Sequence, residues 1–301
     1  MRSKRKTSFA TVVGISVISA VQVVVAQSRP PDYQALLKTS KAAIVQIEAT
    51  GQPNNPGKST GTGFFVSPGG LIVTAAHVVT YRETKQNNPT GPEVELPNGI
   101  VTNKYFPTIT ARMSDGRQVN VTPAKNPTLQ NIVQDFAVLK GANLIPPSSL
   151  SVGSSNDVHE GDDLTVWGFP LGLTSPTLIK GTVATAGQDT IQIQPNKLAL
   201  QIKYIVFQGP NNKGMSGGPV IDNKTGNVVG IVSNRIAGIG EQLAKTREQI
   251  NATRGSGFVQ IMGVDPNANI LALIDVLDQY LMTGMGVALA IDPVKPDLVV
   301  R

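Results

Sequence analysis

A serine flanked by glycines gives the clearest sign of chemistry in this sequence. Residues 214–219 read Gly-Met-Ser-Gly-Gly-Pro, and glycines permit the left-handed backbone conformations of a tight turn. Such a turn can expose the hydroxyl of Ser216 as a nucleophile and can bring backbone N–H groups together around an oxyanion. A purely structural turn is the alternative for this motif taken alone.

The positions of the histidines restrict the class of hydrolase. His77 and His159 are the only two histidines, and both precede Ser216. The Gly-x-Ser-x-Gly pattern also occurs in α/β-hydrolases, but there the catalytic histidine follows the serine, so that class is excluded. His77 follows an apolar run at residues 71–73, whereas His159 lies in a polar turn. We therefore predict His77 as the general base, the alternative being a half-buried structural histidine.

A triad also needs a carboxylate that orients the imidazole and stabilises its cation, in the order His-Asp-Ser or Asp-His-Ser. Asp135 is the best candidate, because it starts the apolar run at residues 136–139. The other acids lie in or beside polar or glycine-containing turns, as solvated surface acids do: Asp115, Asp157, Asp162, Asp163 and Asp189. His77, Asp135 and Ser216 together predict a Ser-His-Asp triad, although each alone also fits a structural role.

Short apolar runs between turn residues predict the strands that would position these groups. They cover residues 43–47, 63–66, 71–73, 136–139, 164–167, 204–207, 228–232 and 286–291. With 30 glycines and 21 prolines in the chain, this pattern is typical of an all-β sandwich or barrel.

Three segments are expected to differ from this pattern. Residues 32–41 predict a short helix. In residues 266–282 apolar side chains recur at helical spacing, which predicts a helix packed on the surface of the β-structure. The segment 80–106 is polar and contains Asn-Asn-Pro and Gly-Pro sequences, so we predict a long surface loop there.

Residues 1–26 have the composition of a secretory signal peptide. A basic start is followed by an uncharged stretch at residues 7–28, and Val24-Val25-Ala26 fits a signal peptidase site. An uncleaved membrane anchor is the alternative. In either case we expect export to the periplasm or the exterior of a bacterial cell, in keeping with a chain that lacks cysteine.

The composition also excludes several classes of site. Without cysteine there can be no disulfide scaffold, thiolate zinc site or iron–sulfur cluster, and two histidines leave little for a His-rich metal site. The net charge of +6 would suggest nucleic-acid binding, but most of it lies in the first six residues. We therefore expect no nucleic-acid partner.

Three motifs resemble those of the chymotrypsin-fold (trypsin-like) serine peptidases. They are Thr-Ala-Ala-His at residues 74–77, Asp-Phe-Ala-Val-Leu at 135–139 and the serine motif at 214–219. The closer resemblance is to the bacterial HtrA-type (DegP-like) branch, supported by Gly-Thr-Gly-Phe-Phe-Val at 61–66 and Gly-Phe-Pro-Leu-Gly at 168–172. Three motifs in the right order make the resemblance specific.

The resemblance covers residues 43–233, with a last strand expected at 285–291, and it implies a division of the chain. Two six-stranded antiparallel β-barrels would occupy about residues 43–145 and 150–301, with the active site in the cleft between them. Residues 27–42 would be a linker and a short helix.

The resemblance also implies a role for each site residue. Ser216 would attack the scissile carbonyl, His77 would transfer the proton to the leaving amine, and Asp135 would hold the imidazole. The backbone N–H groups of Gly214 and Ser216 would form the oxyanion hole. No metal or organic cofactor is needed for this chemistry.

Some features depart from the family pattern. Met215 stands where digestive relatives have aspartate and HtrA-type enzymes usually have asparagine, and methionine cannot make the polar contacts that preorganise the oxyanion loop. Pro210, six residues before the serine, is not an acid, so we expect an aliphatic or small residue before the scissile bond instead of Lys or Arg. We also expect an insertion over residues 237–284 and, with the sequence ending at Arg301, no PDZ domain.

These features predict an exported serine endopeptidase that cleaves protein or peptide substrates. Two alternatives remain open. One is a catalytically silent binding protein on the same fold, and the other is an esterase that uses the same triad.

Overall fold

Two closed antiparallel β-barrels contain most of the strands. We describe a computed structural model that covers residues 32–51, 57–84, 93–96, 99–193, 198–233, 246–247, 249–250, 270–271, 274 and 284–298. The first barrel contains, with strands numbered in chain order, β1 (Ile44–Thr50), β2 (Ser59–Phe65), β3 (Leu71–Thr74), β7 (Thr108–Met113), β8 (Gln118–Pro123) and β9 (Ala137–Gly141). Around this barrel the hydrogen-bonded order is β1-β2-β3-β9-β8-β7.

The second barrel has the same strand order. Its members are β10 (Asp163–Gly168), β11 (Thr177–Ile193), β12 (Leu198–Gln208), β13 (Pro219–Asp222), β14 (Val228–Val232) and β15 (Met285–Ala290). They pair in the order β10-β11-β12-β15-β14-β13. The predicted all-β fold of two six-stranded barrels is confirmed, and most residues of each of the eight apolar runs lie in a strand.

Alternation of side chains explains how the first barrel forms. Along β1, Ile47 and Ala49 are fully buried while Gln46 and Glu48 point outward, as the two-residue period of a strand requires. The core that contains Phe64 lies mainly in the first barrel and extends to Trp167 and Ile231 of the second, whose interior holds a further cluster. The outward face of β1 therefore stays polar and available for other contacts.

The prediction of a long loop over residues 80–106 is wrong. The segment forms a three-stranded sheet of β4 (Thr80–Thr84), β5 (Glu93–Leu96) and β6 (Gly99–Tyr105), in the order β4-β6-β5. Its polarity indicated a loop, but the sequence Glu-Val-Glu-Leu of β5 has a strand period of two residues. Backbone pairing in a sheet does not need an apolar composition, because the hydrogen bonds join main-chain groups.

Three helices are described completely. They are α1 (Tyr33–Ala42), α2 (Ala76–Val79) and α3 (Leu129–Val133). The short helix predicted over residues 32–41 is confirmed as α1, whose first turn is capped where the Asp32 side chain accepts the Gln34 N–H at 3.0 Å.

The other two segments singled out by sequence lie wholly or mostly outside the described residues. In the helix predicted over 266–282, the described residues 270, 271 and 274 are helical, and the rest lies outside. The predicted leader over residues 1–26 lies outside entirely. Within the described part of the chain, no helix has both the length and the apolar character needed to cross a membrane.

The segment before the first barrel packs against the second barrel, and the segment after the second barrel packs against the first. At the start, the Trp167 indole of β10 donates to the Ser40 hydroxyl of α1 at 2.9 Å. At the end, Val294 in a 3-10 segment (Asp292–Asp297) is buried in the core of the first barrel. Lys125 and Asp297 form an ion pair of 2.9 Å beside this contact. These contacts fix the two barrels relative to each other and so fix the cleft between them.

Candidate active site

His77 lies at the edge of the first barrel, in the short helix that follows β3. Its Nδ1 lies 2.7 Å from Oδ2 of Asp135, and its backbone N–H donates to Oδ1 of the same carboxylate at 3.0 Å. Because an ionised carboxylate can only accept hydrogen bonds, this contact places the ring proton on Nδ1. The lone pair of Nε2 is then left for proton transfer. The side chain is 27% exposed, so a substrate can reach it.

Asp135 is fully buried between α3 and β9. The backbone reaches this position through an unusual conformation, with φ +49° at Asp135 itself. A non-glycine residue in the left-handed region costs roughly 1–2 kcal/mol. Such strain is found at functional sites more often than elsewhere. The neighbouring helix supports it, because Phe136 N–H donates to the Asn131 carbonyl at 3.0 Å.

A second hydroxyl reaches the same carboxylate. Ser233, which directly follows β14, donates from Oγ to Oδ2 of Asp135 at 2.6 Å and is fully buried. The sequence did not identify this residue, because a serine after an apolar run is typical of any strand end. Only the pairing of β14 inside the second barrel brings it to the first barrel.

The turn that carries Ser216 joins β12 to β13 and is bound to the first barrel through β2. Thr62 donates its backbone N–H to the Ser216 carbonyl at 2.8 Å and its hydroxyl to the Gly214 carbonyl at 2.6 Å. The Thr62 hydroxyl also accepts the Phe169 N–H at 3.0 Å. One residue of the first barrel therefore holds both sides of the turn.

Close packing places this turn directly against the strand that leads to His77. A Cβ atom added to Gly217 would lie 2.1 Å from the Thr62 carbonyl and 2.4 Å from the Thr74 hydroxyl, and its φ is +86°. Only glycine fits both restrictions. In the described residues the Ser216 hydroxyl and the His77 ring share no hydrogen bond, as is frequent in unliganded sites.

The candidate oxyanion-binding groups lie on the same turn. Gly214 has φ +96°, and a Cβ atom there would lie 2.1 Å from the Phe169 carbonyl. Among the described residues, neither the Gly214 N–H nor the Ser216 N–H donates a hydrogen bond. Both donors are thus available to a ligand oxygen, which is the arrangement that acyl transfer requires.

Met215 anchors the turn by apolar packing. It is fully buried in the core of the second barrel, with Gly168 of β10 packed against it. Its N–H donates to the Asn212 carbonyl at 3.1 Å, and its carbonyl accepts the Gly218 N–H at 2.9 Å. Burial of the side chain and two backbone hydrogen bonds therefore fix the position of Met215 in the turn.

The remaining sequence candidates lie apart from this cluster. The His159 side chain is 75% exposed, with Nδ1 3.8 Å from Oδ2 of Asp162. Its surface position agrees with the sequence prediction. Asp115 pairs with Arg117 in the turn between β7 and β8, at 2.7 Å. Pro210 is exposed at the start of the loop that leads to the serine turn.

Fold and site together define a peptidase of the double-barrel class. A profile of the trypsin-like peptidase domain matches residues 61–231, which is more than half of the chain and includes His77, Asp135 and Ser216. The chain belongs to the trypsin-like peptidase family.

The chain is similar to several HtrA serine proteases. Mitochondrial serine protease HTRA2 of Bos taurus is 29% identical over 208 residues, which cover 67% of this chain and 38% of that protein. Serine protease HTRA4 of Mus musculus is 32% identical over 188 residues, covering 60% of this chain and 31% of the relative. The chain thus matches about a third of the length of these relatives.

Solved structures include two similar proteases. The active form of the Rv3671c protease from M. tuberculosis has a TM-score of 0.49 and 21% identity, over 74% of this chain and 83% of that one. The HtrA-type protease AlgW, solved with a tripeptide, has a TM-score of 0.46 and 22% identity, over 67% of this chain and 54% of its own.

Proposed function

We propose that this protein is an exported serine endopeptidase that hydrolyses peptide bonds in protein substrates through His77, Asp135 and Ser216. The observation that carries the proposal is the buried Asp135 carboxylate, 2.7 Å from His77 Nδ1. It lies beside a glycine turn that presents a serine and two unused backbone donors.

Acylation follows from these positions. Oγ of Ser216 attacks the scissile carbonyl carbon while its proton passes to Nε2 of His77. The imidazolium that forms is stabilised by Asp135, whose second oxygen holds the backbone N–H of the same histidine. The negative charge on the carbonyl oxygen is received by the Gly214 and Ser216 N–H groups, each worth about 3–4 kcal/mol of transition-state stabilisation.

Collapse of the tetrahedral intermediate breaks the C–N bond. The leaving amine takes the proton from Nε2 of His77 and departs, which leaves an acyl ester on Ser216. Water then gives its proton to the same nitrogen and attacks the ester carbonyl. The second collapse returns the proton to Oγ of Ser216 and releases the new carboxyl terminus.

The residue before the scissile bond is proposed to be aliphatic or small. Pro210 occupies the position where an acid would select Lys or Arg, and it has no charge. Cleavage after basic residues is therefore not expected.

Export is proposed from residues 1–26, with cleavage after Ala26. The mass of the N-terminal peptide of the exported protein tests it. A chain that starts at Gln27 supports a cleaved leader and a protein released to the periplasm or the exterior. A chain that keeps Met1 means a membrane anchor instead.

The activity is tested with the purified chain and a Ser216→Ala control. Each is incubated with a reduced, unfolded protein and, separately, with a p-nitrophenyl ester. We expect protein fragments from the wild-type chain and none from the control. Ester hydrolysis without protein cleavage would favour an esterase, and the absence of both activities would favour a catalytically silent binding protein.

A further inference from the structure

We propose that a groove beside the serine turn binds the part of a peptide substrate that follows the scissile bond, and that Arg112 selects a carboxylate there. The carboxylate belongs to an acidic side chain or to the C-terminus of the substrate. The inference rests on the proposed peptidase function and adds a substrate feature that this site recognises.

Strand register connects Arg112 with the serine turn. Thr62 of β2, Gln46 of β1 and Arg112 of β7 lie directly opposite one another. Opposed residues in a sheet lie on the same face, and neighbouring strands are about 4.8 Å apart. Two strand spacings put the Cα of Arg112 about 10 Å from that of Thr62, whose N–H binds the Ser216 carbonyl. An extended peptide advances about 3.3 Å per residue, so it reaches Arg112 about three residues beyond the scissile bond.

A cavity of about 330 Å³ lies over this face of the first barrel. Its lining includes Gln46, Thr60 and Arg112 from the barrel, and Gly172 from a loop of the second barrel. At about 30 Å³ for each water molecule, the space holds roughly ten waters, enough to admit side chains of an extended peptide. The groove therefore lies on the outer face of the first barrel, with a loop of the second barrel at its edge.

The loop around Gly172 forms the second wall. It is held next to the oxyanion-binding turn, because Leu171 N–H donates to the Lys213 carbonyl at 2.7 Å. It also reaches the groove, where the Gln46 amide donates to the Leu173 carbonyl at 3.5 Å. Leu171 has φ +53° and is 63% exposed, and Leu173 is 52% exposed. Two exposed leucines on one loop, one of them with a left-handed backbone, offer an apolar surface to a substrate on this side of the groove.

Among the residues that the structure describes, the charge of the groove is not balanced. Lys58 and Glu48 neutralise each other at 2.9 Å. Arg112 forms no ion pair in the described part of the chain, and one of its five N–H donors is used by Oε1 of Gln46. A guanidinium presents the remaining donors as a fork that matches a carboxylate. One uncompensated positive charge therefore faces the path of the substrate.

The experiment compares the wild-type chain, Arg112→Gln and the matched control Arg117→Gln. Arg117 lies in the turn that follows the strand of Arg112, and it already pairs with Asp115 at 2.7 Å. Each variant digests the same reduced, unfolded protein, and mass spectrometry locates the cleavage sites. The best site is then made as four peptides. Three carry Glu, Gln or Lys at the third position after the scissile bond and an amidated terminus, and the fourth carries Gln there and ends in a free carboxylate.

We expect Glu to raise kcat/KM about 5- to 10-fold over Gln in the wild-type and Arg117→Gln chains, and Lys to lower it. In Arg112→Gln the three internal peptides converge. Enhancement of the fourth peptide alone identifies the substrate terminus as the source of the carboxylate. The Glu preference also falls as salt rises from 0.05 to 0.5 M, a test that needs no substitution.

Two results overturn the inference. One is a wild-type chain that cleaves the peptides without any preference for a carboxylate. The other is an Arg112→Gln chain that keeps the preference. If the wild-type chain cleaves nothing under these conditions, it is the proposed peptidase function that fails.

Discussion

Hydrogen bonds to Asp135 indicate a different role for each side chain of the site. The carboxylate receives the ring N–H and the backbone N–H of His77 as well as the Ser233 hydroxyl. It therefore fixes the position of the imidazole and the site of its proton at the same time. Ser233 orients the carboxylate through its hydroxyl.

Asp135→Asn is expected to leave the fold intact and to lower kcat about 10⁴-fold. The amide NH₂ can donate to Nδ1, so the ring proton moves to Nε2, where it blocks general-base catalysis. Steady-state cleavage of a peptide substrate measures the loss. Ser233→Ala should lose far less activity, because the His77 contacts with the carboxylate remain. Equal losses in the two variants would contradict these roles.

Glycines at and around the serine turn allow an element of the second barrel to contact strands of the first. Gly217 lies against the Thr62 carbonyl, and Gly61 of β2 lies against Val78 and the Ser216 carbonyl. A single methyl group at either glycine would clash with these atoms and prevent the contact. The position of the serine turn therefore depends on main-chain contacts between the barrels as well as on the backbone conformation of the turn itself.

Gly217→Ala is expected to abolish activity and to lower the free energy of unfolding by several kcal/mol, since its Cβ would meet backbone atoms. Gly116→Ala is the matched control. Gly116 has φ +89°, almost the same as Gly217, but no atom lies within 4 Å of its added Cβ. In the control the free energy of unfolding should fall by about 1 kcal/mol, because only the left-handed backbone is strained, and activity should be unchanged. Urea denaturation compares the two, and similar losses would show that backbone conformation alone matters.

Helix α1 acts on the same turn through the second barrel. The Trp167 indole donates to the fully buried Ser40 hydroxyl, and the Trp167 carbonyl lies 2.1 Å from where a Gly218 Cβ would be. The helix that precedes the first barrel is thus in contact with the strand that packs against the turn of Ser216, the proposed nucleophile.

Ser40→Ala is expected to lower the free energy of unfolding by about 1–3 kcal/mol, because the buried indole N–H loses its acceptor. Thr39→Ala, one residue away on the exposed side of α1, should change it by less than about 0.5 kcal/mol. Trp167 is the only tryptophan of the chain, so its emission reports the site directly while urea denaturation gives the energies. An unchanged midpoint for Ser40→Ala would contradict the role of this contact.

At the scale of the whole molecule, Asp292 joins the segment after the last strand to the connection between the two barrels. Asp292, after the last strand, accepts the Ser155 N–H at 2.9 Å from the connection between the barrels. Its Oδ1 also accepts a hydrogen bond from Nζ of Lys295 at 2.8 Å. Burial alone would raise the pKa of Asp292, but hydrogen bonds from Lys295, Ser155 and Ser154 outweigh it and hold the pKa well below 3.8.

This shift predicts an acid dependence of stability. A depressed folded-state pKa contributes stability that is present above the unfolded value and is lost as the pH falls below it. Asp292→Asn should therefore be less stable than the wild-type chain at pH 7, and the difference should shrink as the pH falls below about 4. Urea denaturation at a series of pH values measures it. A difference that stays constant from pH 7 to pH 3 would contradict the assignment.

The sequence was most informative where the chemistry is local. The motifs around His77, Asp135 and Ser216 contain their own turn or strand signals, so both the fold and these candidate residues could be predicted. Ser233 could not be predicted, because strand pairing across the molecule brings it to Asp135. The burial of Met215 could not be predicted for a related reason, since it depends on a core built from distant strands.

The most direct test of the peptidase site is the mass of the protein after reaction with a fluorophosphonate. Digestion of the labelled wild-type chain should place one phosphonyl group on Ser216. Labelling should be absent in Ser216→Ala and much slower in His77→Ala, because the nucleophile then lacks its base. A phosphonyl group on another serine, or labelling at the same rate without His77, would contradict the account.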